Sequence, residues 1–304
     1  MKAPRRSKVG TPTRGRRKRG ETAGGSTSAS LRTARTVAVA RQIEPIDAAA
    51  QEGFWAAMPA EMMRRHPSHT LRLGHALLTV MKKSTSLTMN RVLNLGIEDS
   101  VGQDTVDEIL GEFRAARVSR LTVHLAPGRQ SEAIVGLLRR RGFRPHGHQA
   151  KFFREGQPPA PVDTSLMIRL IGPSDAARFG EILCANFGWP QGRAPWVAAT
   201  VGRPGFTHYM AFAGPQPVAT GMLFVQGKGA YLGWGSTLTA FRGRGGQGAL
   251  IAARIQRARE LGCEWMSSDT FEPGAGRSAG SYRNFQRSGF EHVYLRPIYL
   301  WEED

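Results

Sequence analysis

Apolar side chains recur along this chain in two rhythms, and the alternation between them lays out most of its elements. Three- and four-residue steps predict helices, and two-residue alternation predicts strands. Residues 46–65 read as a helix through Phe54, Trp55, Met58, Met62 and Met63, with Pro59 expected to break or kink it. Residues 76–81 and 87–97 read as strands, the second carrying Val92, Leu93, Leu95 and Ile97. A helix over 105–117 follows from Val106, Ile109, Leu110, Phe113 and Ala116. Leu121, Val123 and Leu125 then alternate as a strand. Ile134, Val135, Leu137 and Leu138 predict a helix over 131–141, ending at Gly142-Phe143, before a strand near 149–153. Pro158, Pro159 and Pro161 mark a linker.

Beyond the linker the same order returns. A strand over 165–171 leads into a helix that starts at Pro173, with Ser174 as the expected N-cap, and runs to about residue 187. A short helical piece spans 195–201, and strands follow at 207–213, 218–226 and 230–238. A glycine-rich loop opens a helix carrying Leu250, Ile251, Ile255, Ala258 and Leu261, with Gly262 as its C-terminal cap. A strand at 264–270, a helix at 281–288 ending in Gly289-Phe290, and one or two strands over 293–301 complete the chain. The two Gly-Phe pairs stand 147 residues apart at equivalent places in the order strand, helix, strand, helix. A repeat of that kind implies a duplicated domain, and interleaved strands and helices imply α/β layering.

Charge changes this picture only at the start. The chain of 304 residues carries a net charge of +18, but residues 1–41 hold 12 Lys/Arg against one Glu. Residues 1–36, polar and basic, are expected to be a disordered tail. Its run Arg14-Gly15-Arg16-Arg17-Lys18-Arg19 suits contact with a polyanion such as nucleic acid, or else simple solvation, or a start codon assigned too far upstream. The remaining 268 residues give a domain at 37–155, a linker at 156–163 and a domain at 164–304. Two cysteines, Cys184 and Cys263, suit neither a disulfide framework nor a zinc site, so a reducing cytoplasm and no metal are expected. No apolar run reaches 18 residues, so no membrane span is expected.

The loop Arg242-Gly243-Arg244-Gly245-Gly246-Gln247-Gly248 carries the chemistry. Glycines let backbone N–H groups approach an anion closely. The helix that follows leaves its first N–H groups unpaired, with the positive end of its dipole towards the loop. Arg242 and Arg244 add full charges, and a pyrophosphate fits that combination. The alternative is a solvent-exposed tight turn. Gly243, Gly245 and Gly248 match the bare spacing of a dinucleotide fingerprint, but no acidic residue stands at a strand end about 20 residues on. No Gly-Lys-Ser/Thr follows for a Walker loop either.

The loop resembles the coenzyme A loop of the GNAT acetyltransferases, Arg/Gln-x-x-Gly-x-Gly/Ala. Arg242 and Gly245 match it, and Gln247 stands where the family most often has Gly or Ala. By loop, strand order and the closing Arg287-Ser288-Gly289-Phe290, residues 164–304 resemble one GNAT domain, and 37–155 a second, degenerate copy. In that copy the equivalent loop, Glu98-Asp99-Ser100-Val101-Gly102-Gln103-Asp104, is acidic and should repel a pyrophosphate. The resemblance therefore implies a mixed α/β sheet in two tandem copies. Only the second would bind acetyl-CoA, while the first closes the acceptor pocket.

It further implies acetyl transfer to a primary amine by direct attack in a ternary complex. The backbone at Gly235, Ser236, Thr237, Leu238 and Thr239 would hold the pantetheine and thioester. Arg242, Arg244, Gly245, Gly246, Gln247, Gly248 and Ala249 would hold the diphosphate, and Asn284 the pantetheine arm. Family members often supply an acid from a tyrosine four residues before the closing glycine, where this chain has Phe285. Tyr282 is the substitute acid on that reading. Asp269 and His208 are candidate bases, and Trp189, Trp196 and Trp234 candidate walls of the acceptor site. The acceptor is left open among aminoglycosides, polyamines, amino acids and protein amines, and the chain as monomer or homodimer. Two rival readings stand beside this one: a non-catalytic module binding CoA or a partner, and an acetyltransferase acting on a nucleic-acid-associated substrate.

Overall fold

Eleven strands join edge to edge in one mixed sheet, and the order in which they join departs from the chain order at its centre. The computed structural model describes residues 23–274 and 279–303. The run Arg14–Arg19, and with it the polyanion contact, lies outside the described residues.

Helix α1 spans Ala23–Ala56, so the helix begins inside the segment expected to be disordered. Pro59 separates it from α2, Ala60–Arg65. A strand that the pattern did not reveal, β1 at Ser68–Leu73, pairs with β2, Ala76–Met81. β1 is only partly buried and mixes polar with apolar residues, so it carries no clear alternation. The strand expected over 87–97 shrinks to β3, Arg91–Leu93. Helix α3 (Gln103–Ala115), β4 (Arg120–His124), α4 (Ser131–Arg140) and β5 (Arg144–Glu155) complete the first half.

In the second half β6 is Met167–Leu170 and α5 is Ala176–Phe187. The expected cap Ser174 lies inside a 3-10 turn, Pro173–Asp175, and Asp175 takes the N-cap position without a side-chain bond. Then come α6 (Ala194–Ala198), β7 (Phe206–Ala213), β8 (Gln216–Gln226) and β9 (Gly229–Thr237). The loop leads into α7 (Gly246–Glu260), followed by β10 (Trp265–Phe271), α8 (Gly280–Arg287) and a single closing strand β11 (Glu291–Glu302).

The sheet order is β1-β2-β3-β4-β11-β5-β10-β9-β8-β7-β6. Only β3–β4 and β9–β10 run parallel, each pair joined through a helix, α3 or α7. The closing strands have changed places. β11, from the second half, pairs with β4 of the first, while β5, from the first half, pairs with β10 of the second. β5 and β11 also pair with each other.

The cores follow the exchange. Val106, Ile109, Phe113 and Leu138 of the first half bury Tyr299 and Trp301 from β11. Leu232, Ile251, Ile255 and Phe285 of the second bury Ala150 and Phe152 from β5. Each buried large apolar side chain contributes about 1.5–3 kcal/mol, so each half loses stabilising contacts without the other's strand. The halves therefore do not close as two separate sheets, and residues 36–304 form one compact unit. A third cluster packs Ile46, Ala50 and Phe54 of α1, at helical spacing, against Phe179, Trp196 and Met210.

Candidate active site

The site forms where two parallel strands part. β9 and β10 pair only through Trp265–Gly229, Met266–Ala230 and Ser267–Tyr231. Beyond that point Ser268 Oγ donates to the Leu232 carbonyl at 2.7 Å, and no further ladder pairs join the strands. On its other side β9 keeps its partner β8, with a register shift between Thr220 and Met222. Trp234 sits in this bulge at φ 53°, a backbone conformation uncommon for a bulky side chain. The Trp234 carbonyl accepts from Thr220 Oγ1 at 3.0 Å. Arg254 of α7 supports the bulge from beneath: its guanidinium donates to the carbonyls of Met222 at 3.2 Å and Gly233 at 2.9 Å. Burial lowers the pKa of Arg254 to about 10.

The glycine-rich loop closes the end of this opening. Gly243 and Gly245 take φ of 80° and 75°, in the left-handed region that suits glycine. Gly245 is the N-cap of α7, and no side chain caps that helix. The N–H groups of its first turn lack intrahelical acceptors and remain donors for a ligand. Arg242 and Arg244 are exposed on the loop. Thr164 Oγ1 donates to the Arg244 carbonyl at 2.6 Å, tying the segment just after the linker to the loop. The Gln247 side chain folds back onto β9, donating to the Ser236 carbonyl at 2.7 Å and to Thr237 Oγ1 at 3.1 Å. This side chain thus braces the parted strand. The equivalent loop of the first half differs: Asp99 accepts from the His75 backbone N–H at 2.6 Å, and Gly102 caps α3.

A cavity of about 570 Å³ opens between β9 and β10. The second half lines it with Tyr231, Trp234 and Gly235 of β9, Gln247 of α7, and Ser268 and Asp269 of β10. Ser281, Asn284 and Phe285 of α8 add a wall, as do Phe187 at the end of α5 and Trp189 just beyond it. Gln51 and Phe54 of α1, Arg91 of β3 and Gln149 of β5 complete it, so both halves contribute. A second depression of about 560 Å³, lined by Gln42, Phe153, Glu155, Gln157 and Glu264 among others, touches no residue of the loop.

Polar groups converge on one wall. Asp269 accepts from the Tyr231 hydroxyl at 2.7 Å and from Gln149 Nε2 at 3.0 Å. Burial pushes the Tyr231 pKa well above its ordinary value, and the charge of Asp269 pushes it further, so the phenol stays protonated. Gln149 Oε1 in turn accepts from Arg296, whose guanidinium is paired with Glu44 and Asp47 of α1 at 2.7 Å each. Lys151 pairs with Asp47 at 3.2 Å, and Tyr294 donates to Glu44 at 2.7 Å. Burial alone would raise the pKa of Asp47, but Lys151 and Arg296 overcome it and hold the carboxyl below the usual range. Taking one partner from such a buried network leaves an uncompensated charge, costing about 3–5 kcal/mol.

The structure brings together Thr237, Arg242, Arg244, Gly245, Gly246, Gln247 and Gly248 around the loop, and Asp269, Asn284, Trp189 and Trp234 around the cavity. Leu238 and Thr239 lead from β9 into the loop, and Ala249 lies within the first turn of α7. Three expected residues lie elsewhere. Tyr282 packs edge-on against Phe152, ring centroids 5.0 Å apart, and does not line the cavity. His208 is 1% exposed, bonded to Thr200 Oγ1 at 3.0 Å and enclosed by Phe179, Phe206 and Trp234. Trp196 is buried in the core, donating to the Phe54 carbonyl at 2.7 Å. Tyr231, Arg91 and Gln149 escaped the sequence reading. Tyr231 sits in an apolar strand, and the other two belong to the half read as a scaffold.

Among the described residues no cluster of three His, Cys, Asp or Glu side chains suits a metal, and no helix is long and apolar enough to cross a membrane. No family model matches the sequence, and no curated protein matches it. Solved structures do resemble the fold. A GCN5-related N-acetyltransferase from Kribbella flavida superposes with a TM-score of 0.59 at 14% identity, covering 86% of this chain and 96% of that one. A GCN5-related N-acetyltransferase from Sphaerobacter thermophilus gives a TM-score of 0.57 at 15% identity, covering 76% and 82%. A tandem GNAT protein from the clavulanic acid biosynthesis pathway gives a TM-score of 0.53 at 14% identity, covering 88% of this chain and 95% of that one.

Proposed function

We propose that this chain, whose fold is that of the GCN5-related N-acetyltransferases, moves an acetyl group from acetyl-CoA to a primary amine in a ternary complex. One observation carries the reading: an uncapped helix N-terminus with two arginines stands at the end of a gap between parallel strands, beside a cavity containing a carboxylate. The first-turn amides of α7 and the guanidinium groups of Arg242 and Arg244 hold the diphosphate. The unpaired edge of β9, from Gly235 to Thr239, holds the pantetheine and directs N–H groups at the thioester carbonyl. Donors aimed at a developing oxyanion are worth about 2.7–4 kcal/mol each. Asn284 faces the pantetheine arm across the cavity.

The ammonium of the acceptor enters beside Asp269, which takes its proton while Tyr231 and Gln149 keep the carboxylate oriented. The free amine attacks the carbonyl carbon, a C–N bond forms, the C–S bond breaks, and the new amide nitrogen gives its surplus proton to water. The thiolate takes a proton from water, because Phe285 has no hydroxyl and Tyr282 lies outside the cavity. The reading extends to a reducing cytoplasm, consistent with Cys184 and Cys263 both being free and buried. Phe285 also favours a competing reading, a module that binds CoA without transferring the acetyl group.

Thiol release from acetyl-CoA with a panel of primary amines separates the two. The transferase reading expects turnover with at least one amine and a loss of about 10²-fold or more in kcat for Asp269→Asn, in line with the usual yield of a general base. CoA binding with no thiol release from any amine would leave the binding module.

A further inference from the structure

Charges in and around the cavity pair off almost completely, and the two left over point to the acceptor. Glu44 and Asp47 of α1 are matched by Arg296 and Lys151, all four buried. Among the described residues two charged groups of opposite sign that line the cavity make no ion pair: Arg91 and Asp269. Arg91 donates to the neutral amide of Gln51 and makes no ion pair with any described carboxylate; its Nε is buried without a partner. Among the described residues, the Asp269 carboxylate accepts from the neutral groups of Tyr231 and Gln149 and makes no ion pair. Burial dominates the environment of Arg91 and lowers its pKa; Asp47, which is already paired with Lys151 and Arg296, and more weakly Asp269 oppose that shift through their charges without bonding to it. An unmatched guanidinium and an unmatched carboxylate in one partly buried cavity form an incomplete pair of pairs. Each is costly to bury alone, and each is stabilised by a ligand group of the opposite sign.

We propose that the acceptor is a free amino acid with an apolar or aromatic side chain, its carboxylate held by Arg91 and its ammonium by Asp269. The assignment rests on the transferase reading above and narrows its acceptor class. The ammonium end then lies at the group that takes its proton. The guanidinium fork of Arg91 matches a carboxylate in geometry as well as in charge. Phe54, Phe187, Trp189 and Trp234 give the walls an apolar surface for the side chain. Aminoglycosides and polyamines fit poorly. Among the described residues Asp269 is the one carboxylate lining the cavity, and the positive charge of Arg91 opposes any second ammonium.

The test uses the full chain saturated with CoA, titrated calorimetrically with each of the twenty protein amino acids and with its primary amide, which keeps the amine and loses the negative charge. At least one apolar or aromatic amino acid should bind ten or more times tighter than its amide, and Arg91→Gln should bring that ratio close to one. The same panel is run with acetyl-CoA, following thiol release. Selective binding of an amino acid without turnover would uphold the amino-acid site at Arg91 and Asp269 but overturn the transferase reading, and with it the acceptor role. Turnover of amines with no preference for the carboxylate, or a preference that survives in Arg91→Gln, would overturn the assignment and leave the transferase reading intact. If no amino acid binds more tightly than its amide, the assignment also fails.

Discussion

His208 is 1% exposed between Thr200 and three aromatic rings, and burial pushes its pKa down to about 3. A histidine so placed stays neutral at physiological pH and does not line the cavity. Its effect falls on stability instead. Above the unfolded pKa of about 6.5, both folded and unfolded states hold a neutral ring. Between there and about 3, the unfolded chain binds a proton that the folded one refuses. Stability therefore falls by about 1.4 kcal/mol per pH unit as pH drops through that window. Urea midpoints at pH 7 and pH 5 should fall further for the natural chain than for His208→Gln, and parallel slopes would contradict the account. At this scale the sequence was only partly informative. Asp269 and Asn284 line the cavity because the strand and helix that carry them border it. Tyr282 and His208 misled because residue type does not reveal which face of a helix or strand turns to the cavity. Tyr282, three residues before Phe285, packs on Phe152, a neighbour from the exchanged strand β5 that no local pattern announces.

Elements with strong periodicity were read well, since α3, α4 and α7 each have an apolar face that must be buried. Weak ones were not. β1 is half-exposed and β3 has three residues, so neither carries enough alternation to stand out. The loop before α7 was legible for a different reason: consecutive glycines have few other uses. Gly245 is its most demanding position. At φ 75° a side chain costs about 1–2 kcal/mol, and an added Cβ would lie 2.5 Å from the Asp163 carbonyl oxygen. Gly245→Ala should therefore lower the urea midpoint and weaken CoA binding together, because the same backbone turn presents the amides. A variant with both values unchanged would show that the loop tolerates another conformation.

The exchange of β5 and β11 governs the molecule as a whole. A duplicated order of elements was visible in the sequence, and the solved structures of similar fold include a tandem protein matched over 88% of this chain. The pairing of β10 with β5 and of β4 with β11 was not visible, because register between distant strands is set by cross-strand packing rather than by local pattern. That pairing places Gln149, Lys151 and Arg296 beside Glu44, Asp47 and Asp269, and so fixes the polar wall of the cavity. The first half is thus part of the site rather than an appended copy. Everything proposed for that site presupposes a diphosphate held at the mouth of α7 by backbone amides, Arg242 and Arg244. Calorimetric titration of the full chain with coenzyme A tests this most directly. Saturable heat is expected, with an affinity at least tenfold lower when both arginines are alanine, a loss of about 1.4 kcal/mol. No heat from the natural chain, or the same affinity in the double variant, would contradict it.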